Sequence, residues 1–114
     1  MRRRFEAFDA AVINREFSQL PTQDFKDLTF AMQNYQEDTG VHYRTDNYGN
    51  GLEMIAGGQG RCLFFTRETE VHPDGQPSET LVALTIGKKE SQKASKQLIE
   101  RARDRMKRYK EKQK

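Results

Sequence analysis

A chain of 114 residues supports one domain with a single modest core. Hydrophobic residues make up 34% and charged residues 32%, yet seven Phe and four Tyr are spread along the chain, which excludes a wholly disordered polymer. The net charge of +3 is what remains of two opposed regions: residues 88–114 hold twelve Lys or Arg against four acids, and residues 1–87 hold eight against thirteen. Such a basic block is either a solvated helix or a surface for a polyanion.

No apolar run is long enough to cross a bilayer, and the arginines of MRRRFEAFDA precede no apolar segment of the signal-peptide kind. Cys62 is the single cysteine, so no internal disulfide forms, and His42 and His72 are too far apart in sequence for a metal-ligand spacing. The expectation is a soluble cytoplasmic protein, one domain over 1–114, with no metal and no other cofactor.

In chain order, Arg4-Phe5-Glu6-Ala7-Phe8 alternates polar and apolar, as a short half-buried strand does. Asp9 then suits the cap of a helix from Ala10 to Phe17, ending near Leu20-Pro21. From Thr22 a second helix places Phe25, Leu28, Met32 and Tyr35 on one stripe and closes at Gly40. Two helices joined at a proline make an antiparallel hairpin that needs a surface to cover. Three apolar runs supply it: Gly51 to Ile55, Arg61 to Thr66 and Thr80 to Ile86. The Gly57–Gly60 turn and a longer loop from His72 to Ser78 separate them, and they read as an antiparallel meander. The glycines at 57–60 are not a phosphate loop, because no helix and no Lys-Ser/Thr follow. From Ser95 to Lys112, Leu98, Ile99, Ala102, Met106 and Tyr109 share one face, so the last helix packs on the domain. The fold class is α+β.

The candidate chemistry lies where these runs end. Arg61 opens one strand, Arg67 closes it, and Lys88, Lys89 and Lys93 leave the end of the next. Antiparallel pairing in sequence order places Lys88 and Lys89 near Arg61. Cations gathered without a carboxylate pair or metal ligands suit a phosphate. Such a site cleaves RNA by promoting attack of a ribose 2′-hydroxyl on its own phosphate, and needs a base, an acid and positive charge for the transition state. Arg61 fits the charge role. Lys89 or Lys93 serves as base only where burial and neighbouring cations lower its pKa, and Tyr109 or Tyr48 offers a phenol. The plainer alternatives are a solvated strand-end arginine, solubilising lysines, a packed Tyr109, a Glu53 paired with an arginine, and a Cys62 in the core.

Three stretches together resemble the RelE/ParE superfamily of type II toxins, in its HigB-like branch. They are VINREFSQLP with the amphipathic helix after it, GLEMIAGGQGRCLFF, and VALTIGKKESQKASKQLIERARDRMKRY. In the last, Lys89, Gln92, Lys93, Ile99, Glu100, Ala102, Arg105 and Tyr109 fall on positions similar to the family's lysine-rich turn and final helix. The resemblance implies a helical hairpin on a small, mainly antiparallel twisted sheet, a ribosome-dependent endoribonuclease that cuts messenger RNA, and a cognate antitoxin protein as partner beside the ribosome. It implies Arg61, Lys89 and Lys93 as catalytic residues, with Arg67, Lys88 and Arg105 on RNA. Four departures thin the cationic pattern or alter its frame: Ile55 in place of an arginine, Gly87 of a phenylalanine, Glu90 of a second lysine, and Ala94-Ser95 of Thr-Pro. The alternative class is a non-catalytic binding module, or an inhibitor of DNA gyrase like the ParE-like branch.

Overall fold

The computed structural model describes residues 2–58, 60–90 and 93–112, with the side chains of residues 89, 90, 93 and 94 outside the description. Nine elements run in the order β1 (Arg2–Ala7), α1 (Ala10–Ser18), α2 (Thr22–Gln36), β2 (Arg44–Gly49), β3 (Leu52–Ala56), β4 (Arg61–Val71), β5 (Pro77–Glu90), β6 (Lys93–Ala94) and α3 (Lys96–Lys112). Five strands form a mixed sheet ordered β1-β5-β4-β3-β2, in which β1 lies parallel to β5 and the other neighbours are antiparallel. The two-residue β6 returns against the end of β5. Among the described residues no helix is long and apolar enough to cross a membrane.

Helices cover both faces of the sheet. The α1–α2 hairpin buries Ile13, Leu28, Ala31 and Tyr35 against Ile55, Leu63, Phe65, Leu81, Ala83 and Ile86. On the other face α3 buries Leu98, Ala102 and Met106 against Leu52, Met54, Cys62, Phe64, Val82 and Leu84. Strands covered twice lose the alternation of a one-sided sheet, which is why CLFF and LVALTI are continuous apolar runs. Within the hairpin stripe, Phe25 departs from expectation. It stays 42% exposed and meets Phe17 of α1 edge-on at 5.7 Å, so it clips the two helices together and leaves the sheet to Leu28 and Tyr35.

Asp9 caps α1, its carboxylate accepting from the amides of Ala11 and Val12 at 3.1 and 3.3 Å. Replacing it with alanine is expected to cost about 1 kcal/mol, measurable by chemical denaturation. Strand β2 is an addition to the expected meander. It joins β3 through Asn50-Gly51, both at positive φ (55° and 86°), the twist that a two-residue hairpin requires. Its polar residues leave it an exposed edge that Arg44 and Asp46 guard against pairing with other chains.

One irregularity shapes the site. Phe64 pairs with Thr85 but Phe65 with Ala83, so Leu84 is an extra residue, a β-bulge in β5. The β1 edge also ends here, where the Phe8 amide donates to the Ala83 carbonyl at 2.9 Å. Beyond it the backbone of β5 is satisfied by side chains. Glu16 Oε1 of α1 accepts from the Ile86 amide and the Thr85 hydroxyl at 3.0 and 2.8 Å, while Arg105 and Arg101 donate to the carbonyls of Leu84 and Ile86 at 2.9 and 3.2 Å. A strand edge inside a folded domain must find such partners, and two helices deliver them.

Candidate nucleic-acid interface

Arg61 and Lys88 sit directly opposite each other where β4 begins and β5 ends. The expected adjacency of the two strand ends therefore holds in the backbone register. Next to them, Gly87, Lys88, Ser95, Gln97, Leu98 and Arg101 line a hollow of about 210 Å³. Ser95 caps α3, its hydroxyl accepting from the Leu98 amide at 3.1 Å. Arg101 reaches in from the first turns of α3 and is fixed by its Nε, which donates to the Thr85 hydroxyl at 3.0 Å. No sequence pattern marked Arg101 as a site residue. Only the packing of α3 against β5 brings it to the hollow that Lys88 lines.

Gly87 has no room for a side chain. A Cβ on it would lie 2.4 Å from Leu98 Cδ2 and 3.0 Å from its Cγ, so Leu98 occupies the space that a larger residue on β5 would take. A Gly87→Ala variant is expected to displace Leu98 and lose about 1–2 kcal/mol in thermal or chemical unfolding.

Arg61 is not a free cation. Its Nε donates to Asp24 Oδ2 of α2 at 2.8 Å, both side chains being partly buried, which leaves the terminal nitrogens of the guanidinium to meet a ligand. The lysines expected with it are placed only by their backbone: Lys89 pairs with Ala94 and Glu90 with Lys93 across the β5–β6 turn. Their side chains lie outside the described residues, as do Gln92 and Ser91.

Arg67 and Arg105 do not join this group. Arg67 lies roughly 20 Å along β4 from Arg61, at about 3.3 Å per residue. There Glu53 takes its Nε and Nη2 at 3.1 and 3.0 Å, Glu79 takes its Nη1 at 2.6 Å, and Nη2 donates to the Tyr35 hydroxyl. Burial opposes its charge, but the hydrogen bonds to Glu53, Glu79 and Tyr35 outweigh burial and raise its pKa. Arg105 donates to Glu16 Oε2 at 2.6 Å and its guanidinium lies 5.3 Å over the ring of Phe8. Both were expected on RNA; both are tied to carboxylates that hold elements together. The expected pairing of Glu53 with an arginine and the burial of Cys62 in the core are what the structure has.

Glu79 receives Arg3 as well as Arg67, at 3.2 and 2.6 Å. Burial pushes its carboxyl up, and the two guanidiniums more than reverse that, so its pKa lies below the ordinary 4.5. A depressed folded-state pKa stabilises the fold above the ordinary carboxylate range and loses that contribution as pH falls through the folded value. Unfolding free energy is thus expected to decline on acidification below about pH 4.5, and Glu79→Gln to flatten that slope in denaturation series at several pH values.

Among the described residues no three His, Cys, Asp or Glu side chains gather as metal ligands do. Comparison with protein-family models finds no match to this chain. Comparison with curated protein sequences finds no match either.

Proposed function

We propose that this protein is the toxin of a type II toxin–antitoxin system, a cytoplasmic endoribonuclease that cuts messenger RNA on the ribosome and is held in check by an antitoxin protein. The observation that carries the reading is a hollow lined by Lys88 and Arg101 at the strand end where Lys88 stands opposite Arg61 in the register. Its resemblance to the RelE/ParE superfamily supplies the ribosome and the antitoxin. The basic face of α3 supplies an electrostatic approach for RNA, because neutralising phosphates releases condensed counterions.

In this mechanism the scissile phosphate sits over the hollow. Lys88 and Arg101, which line the hollow, stabilise the extra negative charge as the ribose 2′-hydroxyl attacks. Arg61, turned toward Asp24 on the α2 side, holds an adjacent phosphate with its terminal nitrogens. Lys89 or Lys93, as the neutral amine, takes the hydroxyl proton while a solvent water gives one to the leaving 5′-oxygen as its P–O bond breaks, leaving a 2′,3′-cyclic phosphate and a 5′-hydroxyl. DNA, lacking the 2′-hydroxyl, is not cut by this route.

The test is expression with and without the neighbouring small gene, followed by mapping of transcript 5′ ends. The expected result is cuts confined to translated frames, suppressed by co-expression of the antitoxin. A Lys89→Ala variant that arrests growth as well as the parent would remove this catalytic assignment. A second reading is favoured by the Arg61–Asp24 ion pair, which consumes part of the site's charge: the fold as a non-catalytic binding module, or as a gyrase inhibitor. Intact transcripts with an induced DNA-damage response would select it.

A further inference from the structure

A second cleft, of about 530 Å³, is lined by Asp27 and Phe30 of α2, His42 to Arg44, and Ala56 to Gly58. Its composition differs from that of the phosphate hollow. Phe30 leaves 45% of its surface in solvent, with its ring 4.9 Å from that of His42. Tyr43 stands beside them, its ring set edge-on to Tyr35 at 5.1 Å. Arg44 at the rim is exposed and has no ion pair among the described residues.

The cleft is preformed. His42 holds φ at 69°, a conformation costly for a residue with a side chain, and such strain persists only where the surroundings impose it. Here the Thr39 hydroxyl donates to Asn34 Oδ1 at 2.9 Å and accepts the Val41 amide at 3.3 Å, while Asn34 Nδ2 donates to the Phe30 carbonyl at 2.8 Å. That network ties the segment before His42 to the helix that carries Phe30. The opposite wall is pressed equally close: a Cβ on Gly57 would lie 2.7 Å from the Asp27 carbonyl oxygen.

We propose that this cleft is a nucleobase subsite, seating the base of a nucleotide whose phosphate lies toward Arg61. Two uncovered rings offer a stacking platform, which any base satisfies through its π-face. A carboxylate at Asp27 accepts hydrogen bonds and a guanidinium at Arg44 donates them, matching the mixed donor and acceptor edge of a base. Asp27 Oδ1 already accepts from Gln23 Nε2 at 2.9 Å, which leaves Oδ2 for a ligand. Continuity with the phosphate site follows from the chain, since only two residues separate Gly58 from Arg61 and Asp27 lies one helical turn beyond Asp24, the partner of Arg61. That the ligand is RNA rests on the function proposed above; the base-binding chemistry does not.

The test titrates isotope-labelled protein with AMP, with CMP and with ribose 5-phosphate, following amide and aromatic resonances by NMR. At least one mononucleotide is expected to shift Phe30, His42, Tyr43, Gly57 and Gly58 saturably, with ribose 5-phosphate leaving them in place. Phe30→Ala, at an exposed position that a well-dispersed spectrum would confirm as folded, is expected to weaken that binding about tenfold or more. Equal shifts from ribose 5-phosphate, no shift from either mononucleotide, or unchanged affinity in Phe30→Ala would overturn the subsite. Transcript cleavage measured in parallel separates the two proposals: base binding without cleavage keeps the subsite and removes the nuclease, and cleavage without base binding does the reverse.

Discussion

Replacing Arg67 with alanine is expected to lower the free energy of unfolding by about 3 kcal/mol. The guanidinium joins three elements: Glu53 on β3, Glu79 on β5 and the Tyr35 hydroxyl on α2. Removing it leaves two carboxylates facing each other with Arg3 alone to compensate, and Arg3 already divides its donors between Glu79 and Asp38 at 3.2 and 3.0 Å. The stranded acids, more than the lost attraction, set the size of the effect. The loss is therefore expected to shrink at low pH, where protonation relieves the acids, and Arg67→Ala with Glu53→Gln should recover part of it. Denaturant titrations of parent, single and double variants at neutral and acid pH provide the measurement, and RNA contacts by Arg67 play no part in the outcome.

Lys88→Glu is expected to reduce transcript cleavage on the order of 10²-fold while leaving the melting temperature unchanged. Lys88 is exposed, forms no ion pair among the described residues, and faces Arg61 across the β4–β5 register. Reversing its charge places an anion beside the proposed phosphate position without disturbing the core. Arg101→Gln addresses the same charge but also loosens the Thr85 hydroxyl and the Ile86 carbonyl, so its effect will combine catalysis with stability. Lys88 is the cleaner probe for that reason.

Much of this architecture is legible in the residues. Asp9, the stripe of α2 and the face of α3 each follow from spacing that only one conformation satisfies, and the two central strands announce themselves as unbroken apolar runs. Strand β2 is not legible by periodicity, because an exposed edge strand has no buried face to alternate with; its one signal is Asn50-Gly51, the turn that leads out of it. The bulge at Leu84 is equally silent, since inserting one residue inside LVALTI leaves an apolar run that looks the same.

The candidate site divides in the same way. Antiparallel order alone brings Arg61 to Lys88. The partners that decide what each arginine does come from elements distant in sequence: Asp24 for Arg61, Glu79 for Arg67, Glu16 for Arg105. A cation in sequence carries no mark of the acid that the fold will set against it. Arg101, the cation that packing adds to the hollow, is one of many in a basic helix until α3 is laid across β5.

The central claim is that cations at one strand end promote attack by the substrate's own 2′-hydroxyl. It is tested most directly by in vitro translation of a messenger carrying a single 2′-deoxyribonucleotide immediately 5′ of a mapped cut. The account predicts that cleavage vanishes at that linkage alone, while the unmodified messenger gives fragments ending in 2′,3′-cyclic phosphate. Cleavage persisting at the deoxy linkage would contradict it.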